Sequence, residues 1–164
     1  MSKDRVQWAF ATCTEQLHGM ATGQIRSRDL VETYLARIEE NKELNAVVSI
    51  APERARAEAD RMDAERASGR QSGRLHGIPV TLKDSFETEG LRTTAGSESL
   101  AEYEPSKDAP TVARLRQQGA IIMGKTNMPT FNLDLQAQNP VFGATKNPHD
   151  PSRTSGGSAA TAAA

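Results

Sequence analysis

The stretch DAPTVARLRQQGAIIMGKT, residues 108–126, changes its period halfway along. Asp108 or Ala109 starts a helix with Pro110 in its first turn, where the missing N–H removes no helical bond. The helix runs to Gly119, a residue suited to ending one. The AIIMG that follows is short and wholly apolar, which predicts a strand buried on both faces. Upstream, Val80 to Lys83 in GIPVTLKDSF reads as a second buried strand. Strand, loop, helix, strand is the order of a parallel crossover unit, so the fold class is α/β.

Working outward, residues 10–22 read as a short helix ending at Gly23. Ser27 is placed as the N-cap of a second helix, with Asp29 in its first turn and Val31, Tyr34, Leu35 and Ile38 at helical spacing. Ala46 to Ile50 is a short apolar run suited to an extended segment. Pro52 opens a third helix of charge and alanine that stops at Gly69, read as a solvated helix covering one edge. Residues 68–77 form a glycine- and serine-rich loop, residues 88–107 are irregular, and residues 139–157 form a long loop. A small helix is expected from about Ser158. There are no internal repeats, and no linker is long enough to divide two domains.

Composition narrows the function classes. The 164 residues hold 20 basic and 21 acidic side chains, so no charge excess points to nucleic acid. Aromatic content is 4% and apolar content 37%, which is low for a self-sufficient core. One cysteine, Cys13, excludes an internal disulfide and a cysteine metal cluster. His18, His76 and His149 lack metal-ligand spacing, so no metal is expected. MSKDRVQWAF has no signal-peptide core, and no apolar run approaches a membrane span. The expectation is a cytoplasmic protein with no membrane, nucleic-acid or cofactor partner.

Three stretches could carry chemistry. GAIIMGKT, residues 119–126, matches the phosphate-loop pattern, but that pattern needs a loop whose amides wrap phosphates. Ala, Ile, Ile and Met favour a buried strand instead, and Pro129 interrupts the helix that should follow. The reading is a strand end turning into a loop. Lys83 lies at the end of an apolar strand, where charge is costly. It either pairs with Asp84 or another acid, or is desolvated toward the neutral amine; a free lysine near 10.4 would need a drop of roughly 3 units to act as a base near pH 7. SGGS, Ser155 to Ser158, allows close backbone approach, and a helix start beyond it would offer free amides to an anion or oxyanion. The same four residues also suit a helix cap or a flexible linker.

Together these stretches resemble the amidase signature family. GIPVTLKDSFETEGLRTTAGS is similar to the segment around that family's catalytic lysine. DAPTVARLRQQGAIIMGKTNMPTF is similar to the helix–strand segment after it, and FGATKNPHDPSRTSGGS to the approach to its serine-rich signature. The likeness runs from about Ser27 to Ala164, with residues 1–26 as a helical lead-in. The resemblance implies a mixed β-sheet core wrapped by helices, present here as the N-terminal portion of one amidase domain. It implies cleavage of a carboxamide C–N bond through a serine–serine–lysine triad. Lys83 would be the base, and a serine of the glycine-rich loop would be the bridging serine, following a cis peptide. Gly156, Gly157 and Asn127 would support the site. Small-molecule amides would be substrates, and either a homodimer or association with a C-terminal portion would complete the assembly.

Two departures from the family pattern stand out. The usual signature is doubled, as in GGSSGGSAAA, whereas this chain has a single SGGSAATAAA. Aligned from the N-terminal side, Ser158 is the bridging serine; aligned from the C-terminal side, Ser155 is its neighbour and the bridge is lost. The continuous NP…DPSRT register favours Ser158. The family's nucleophilic serine, its oxyanion amides and most of its pocket would lie beyond Ala164, so this chain alone is expected to lack triad chemistry. Two other readings remain: the amidotransferase component that supplies ammonia for tRNA-dependent amidation, and a non-catalytic fragment.

Overall fold

A computed structural model describes residues 7–158. The helix expected from about Ser158 therefore lies outside the described residues. Four helices and five strands set the frame among those residues: α1 Cys13–Ala21, α2 Ser27–Glu40, β1 Val47–Ile50, α3 Pro52–Ala67, β2 Pro79–Lys83, α4 Pro110–Gln117, β3 Ile121–Thr126, β4 Gln138–Asn139 and β5 Gly143–Ala144. β1, β3 and β2 form one sheet in that order, and β4 and β5 form a small antiparallel pair.

β1 and β3 run antiparallel, with Ser49 opposite Lys125 and Ile50 opposite Gly124. β2 and β3 run parallel: the Ile121 amide donates to Ile78 and the Asp84 amide to Thr126, so both strands advance together. This is the mixed α/β architecture that the crossover pattern predicts. Every residue of β3 is buried, as a central strand requires. Gly124 is needed there because a Cβ would lie 2.2 Å from the Ser49 carbonyl oxygen.

The chain divides into two compact units. The first comprises residues up to Arg37, Ala51–Val80 and Ala113–Met123. Met20, Ile25, Leu30 and Ile78 form its apolar centre, with Trp8, Leu17, Tyr34, Leu75 and Val80 around them. α1 begins where Thr12 and Glu15 form a reciprocal cap: each side chain accepts from the other's backbone amide, at 3.2 and 2.7 Å. α2 corrects the expectation for Ser27. The helix starts at Ser27 itself, and the Asp63 carboxylate of α3 accepts from the Ser27 and Arg28 amides at 2.8 and 3.0 Å. A remote acid thus does the capping, while the Ser27 hydroxyl turns to the Met20 sulfur. α3 is mostly solvated but buries Ala55, Ala59 and Met62 on one face.

The second unit comprises Ile38–Ile50, Thr81–Val112 and the residues from Gly124 on. Residues 88–107, irregular in pattern, are pinned by backbone bonds from Thr93 to Tyr103 and from Leu91 to Thr88. All the candidate site residues fall in this unit.

Candidate active site

Lys83 ends β2 at the entrance to a tight turn, closed by the Phe86 amide donating to the Lys83 carbonyl at 3.0 Å. The Lys83 side chain is half-buried. Its amine makes no hydrogen bond or ion pair among the described residues, and burial pushes it below the ordinary lysine range. Desolvation disfavours the charged form, and no carboxylate offsets it.

The neighbouring Asp84 does not pair with Lys83. Its side chain is fully buried, and its Oδ2 accepts from the Thr94 hydroxyl at 2.5 Å and the Thr94 amide at 3.0 Å. Its Oδ1 accepts no hydrogen bond and faces Lys125 Nζ at 3.7 Å. Lys125, on β3, is fully buried and donates to the Phe86 carbonyl at 2.5 Å and the Thr93 hydroxyl at 2.8 Å. Burial pulls it down to about 8, against the opposing pull of Asp84 and of the Glu87 charge.

Sequence reasoning misses the Asp84–Lys125 pair. Its one local signal is the GKT of the phosphate-loop pattern, which reads as a strand turning into a loop after Gly124. The strand instead continues through Lys125 and Thr126. Lys125 is therefore committed inside the sheet and is not free to meet a phosphate.

Asn127 follows β3 and is fully buried. Its amide nitrogen donates to the Gly143 carbonyl and the Thr145 hydroxyl, both at 3.1 Å, and its oxygen accepts from Asn139 at 2.7 Å and from the Met128 amide at 2.9 Å. The Thr145 carbonyl in turn accepts the Ser155 amide at 3.0 Å. Asn127 thus ties β3 to the segment on which the glycine loop rests.

Ser155 is half-buried and Ser158 exposed. Neither shares a hydrogen bond with Lys83 among the described residues. Gly156 and Gly157 take φ of +68° and +74°, a region that side chains with a Cβ enter at a cost. No cis peptide bond occurs among the described residues, so the bond into Ser158 is trans, contrary to the expectation from the resemblance. The chain turns here through the φ angles of its glycines. An open groove lined by Gln7, Trp8, Phe10, Ala11, Glu15 and Gln24 contains none of these residues. Among the described residues no group of three or more His, Cys, Asp or Glu side chains could hold a metal ion. None of the described helices is long and apolar enough to cross a membrane.

A family model described as amidase matches residues 29–164, which include the Lys83 turn, the Asp84–Lys125 pair and the glycine loop. The chain belongs to the amidase family. In a Synechococcus species, the first of the glutamyl-tRNA(Gln) amidotransferase subunits is 39% identical over 98% of this chain and 33% of its own length. Its counterpart from Cupriavidus pinatubonensis is 43% identical over 88% of this chain and 29% of its own. Among solved structures, the native peptide amidase from Stenotrophomonas maltophilia superposes with a TM-score of 0.87 at 34% identity, covering 94% of this chain and 33% of that one. The chain therefore spans about a third of the length of these relatives.

Proposed function

We propose that these 164 residues are the N-terminal portion of one amidase domain, which hydrolyses a carboxamide to acid and ammonia or amine. In this reading Lys83 is the base and Ser158 the bridging serine. The bridging serine passes the proton of a nucleophilic serine, supplied from outside these residues, to the Lys83 amine. The nucleophile forms an acyl-enzyme, and water releases the acid. The observation that carries the reading is the Lys83 amine: unpartnered, half-buried and pushed toward its neutral, proton-accepting form. Asn127 supports the loop through Thr145, and Gly156 and Gly157 give it its turn. The location in this reading is the cytoplasm.

The relatives named above favour a specific version of the activity. Two of them are glutamyl-tRNA(Gln) amidotransferase subunits, which makes release of ammonia from glutamine, beside partner subunits, the second reading.

A chimera tests both. The 164 residues replace the matching segment of the Cupriavidus pinatubonensis protein, and ammonia release is measured from glutamine and from simple carboxamides. Lys83→Ala is expected to lower the rate by about 100-fold or more, the usual span for a lost general base. Ser158→Ala should do the same, and Ser155→Ala far less. Turnover of simple carboxamides without partner subunits favours the plain amidase, and turnover of glutamine only with them favours the amidotransferase. If the chimera folds and its rate ignores Lys83→Ala, the assignment of the base is overturned. One with no rate at all marks the chain as a non-catalytic fragment.

A further inference from the structure

Lys125 heads the fully buried side chains in volume, yet the proton path through Lys83 and the serines does not use it. An apolar residue could fill this central-strand position without the several kcal/mol that burying an ion costs. What Lys125 holds explains its presence. The partners of its ammonium lie in the segment that follows Lys83: the Phe86 carbonyl, the Thr93 hydroxyl and the Asp84 carboxylate. The next residue of β3, Thr126, accepts the Asp84 amide at 3.1 Å. Two adjacent residues of β3 thus grip the turn after Lys83 at both of its ends.

The Asp84 carboxylate is the chain neighbour best placed to neutralise Lys83. Thr94 takes one of its oxygens with two hydrogen bonds, and Lys125 faces the other. A carboxylate held this way is unavailable to Lys83. Were it released, it would pair with the Lys83 ammonium and favour its charged form.

We propose that Lys125 is a positioning residue for Lys83: it fixes the turn that carries Lys83 and keeps the Asp84 carboxylate away from it. The inference rests on the reading of Lys83 as the base. Lys125 has no contact with substrate in this role, and its effect is transmitted through Asp84 and the turn. Asp84 and Glu87 are the acids that act on it. Arginine would not substitute, because its planar fork cannot reproduce three donors diverging from one nitrogen.

The test is an NMR titration of the Lys83 amine in the 164-residue chain, with its signal assigned by loss in Lys83→Arg. In the unaltered chain Lys83 titrates below an ordinary lysine. In Lys125→Met it moves up as Asp84 is released, and in Lys125→Met with Asp84→Asn it returns toward its starting point. Labelling of Lys83 by an amine-reactive ester near pH 8 should fall by about threefold or more in the single variant and recover in the double one. A purely structural Lys125 would give no such recovery. If Lys125→Met does not fold, Thr94→Val loosens Asp84 more gently, and a smaller upward move is expected. A folded Lys125→Met, or failing that a folded Thr94→Val, with Lys83 unmoved overturns the inference and leaves the base assignment standing. Lys83 titrating as an ordinary lysine in the unaltered chain overturns the base assignment, and the inference with it.

Discussion

Two lysines lie near the ends of neighbouring parallel strands, and the chain treats them in opposite ways. Burial lowers the affinity of both for a proton. Lys125 answers with two hydrogen bonds and a facing carboxylate, so its protons are committed to named acceptors. Lys83 has no such partner among the described residues. Burial alone therefore does not mark a reactive amine, since both lysines have it. What separates them is the partner set, and only an amine without partners can hand over or receive a proton without breaking the structure around it.

Removing each side chain in turn is the severest way to break this comparison. Lys125→Ala leaves Asp84 buried with an uncompensated charge, which costs about 3–5 kcal/mol when one member of a buried pair is lost. Lys83→Ala leaves no partner behind, and its cost should stay below about 1 kcal/mol. Urea unfolding of the two variants beside the unaltered chain measures both. A larger loss at Lys83 than at Lys125 would mean that the structural and reactive roles are exchanged.

The strands, the helix between them and their parallel order are legible in the sequence because each is a local pattern. The apolar run from Ala120 to Gly124 and the capping proline Pro110 say what they are without help from elsewhere. Lys83 is legible too, as a charge placed where charge does not belong. Its lack of a partner is not, because an adjacent Asp84 makes pairing the simplest expectation. That expectation fails through a contact from β3, formed only when the crossover closes. The cap of α2 escapes the reading for the same reason: Asp63 reaches Ser27 from a different helix. Local rules choose the nearest polar group, and tertiary structure supplies a remote one in both places.

Acidity tests the comparison more finely. Lys125 is drawn from 10.5 in the unfolded chain to about 8 in the folded one. Between those values the unfolded chain binds a proton that the folded chain does not, so stability rises with pH, by up to about 1.4 kcal/mol per unit for one group. Below about 8 both states carry the proton and the full cost of the buried charge remains. Lys83, also lowered, adds to the slope with the same sign. Tyr103, whose hydroxyl donates to Glu87 at 2.8 Å, is pushed up and works the other way above its ordinary value. Urea midpoints taken at about pH 7.5 and about pH 9.5 should therefore rise in the unaltered chain and rise much less in Lys125→Met. An equal rise in both would place the slope elsewhere than in β3.

The smallest expected effect lies in the glycine loop, where no buried partner is at stake. Gly156 has φ +68°, and a Cβ built on it meets nothing within 4 Å. Any cost of Gly156→Ala must then come from the backbone, about 1 kcal/mol for holding an L-residue in the left-handed region. Asparagine enters that region more readily than alanine, so Gly156→Asn should cost less in the same urea measurement. Equal costs for the two would move the effect to the unfolded chain, where any side chain restricts glycine alike. The loop's left-handed turn would then not be what glycine is kept for, and the contrast with the tightly bonded β3 lysine would lose its second pole.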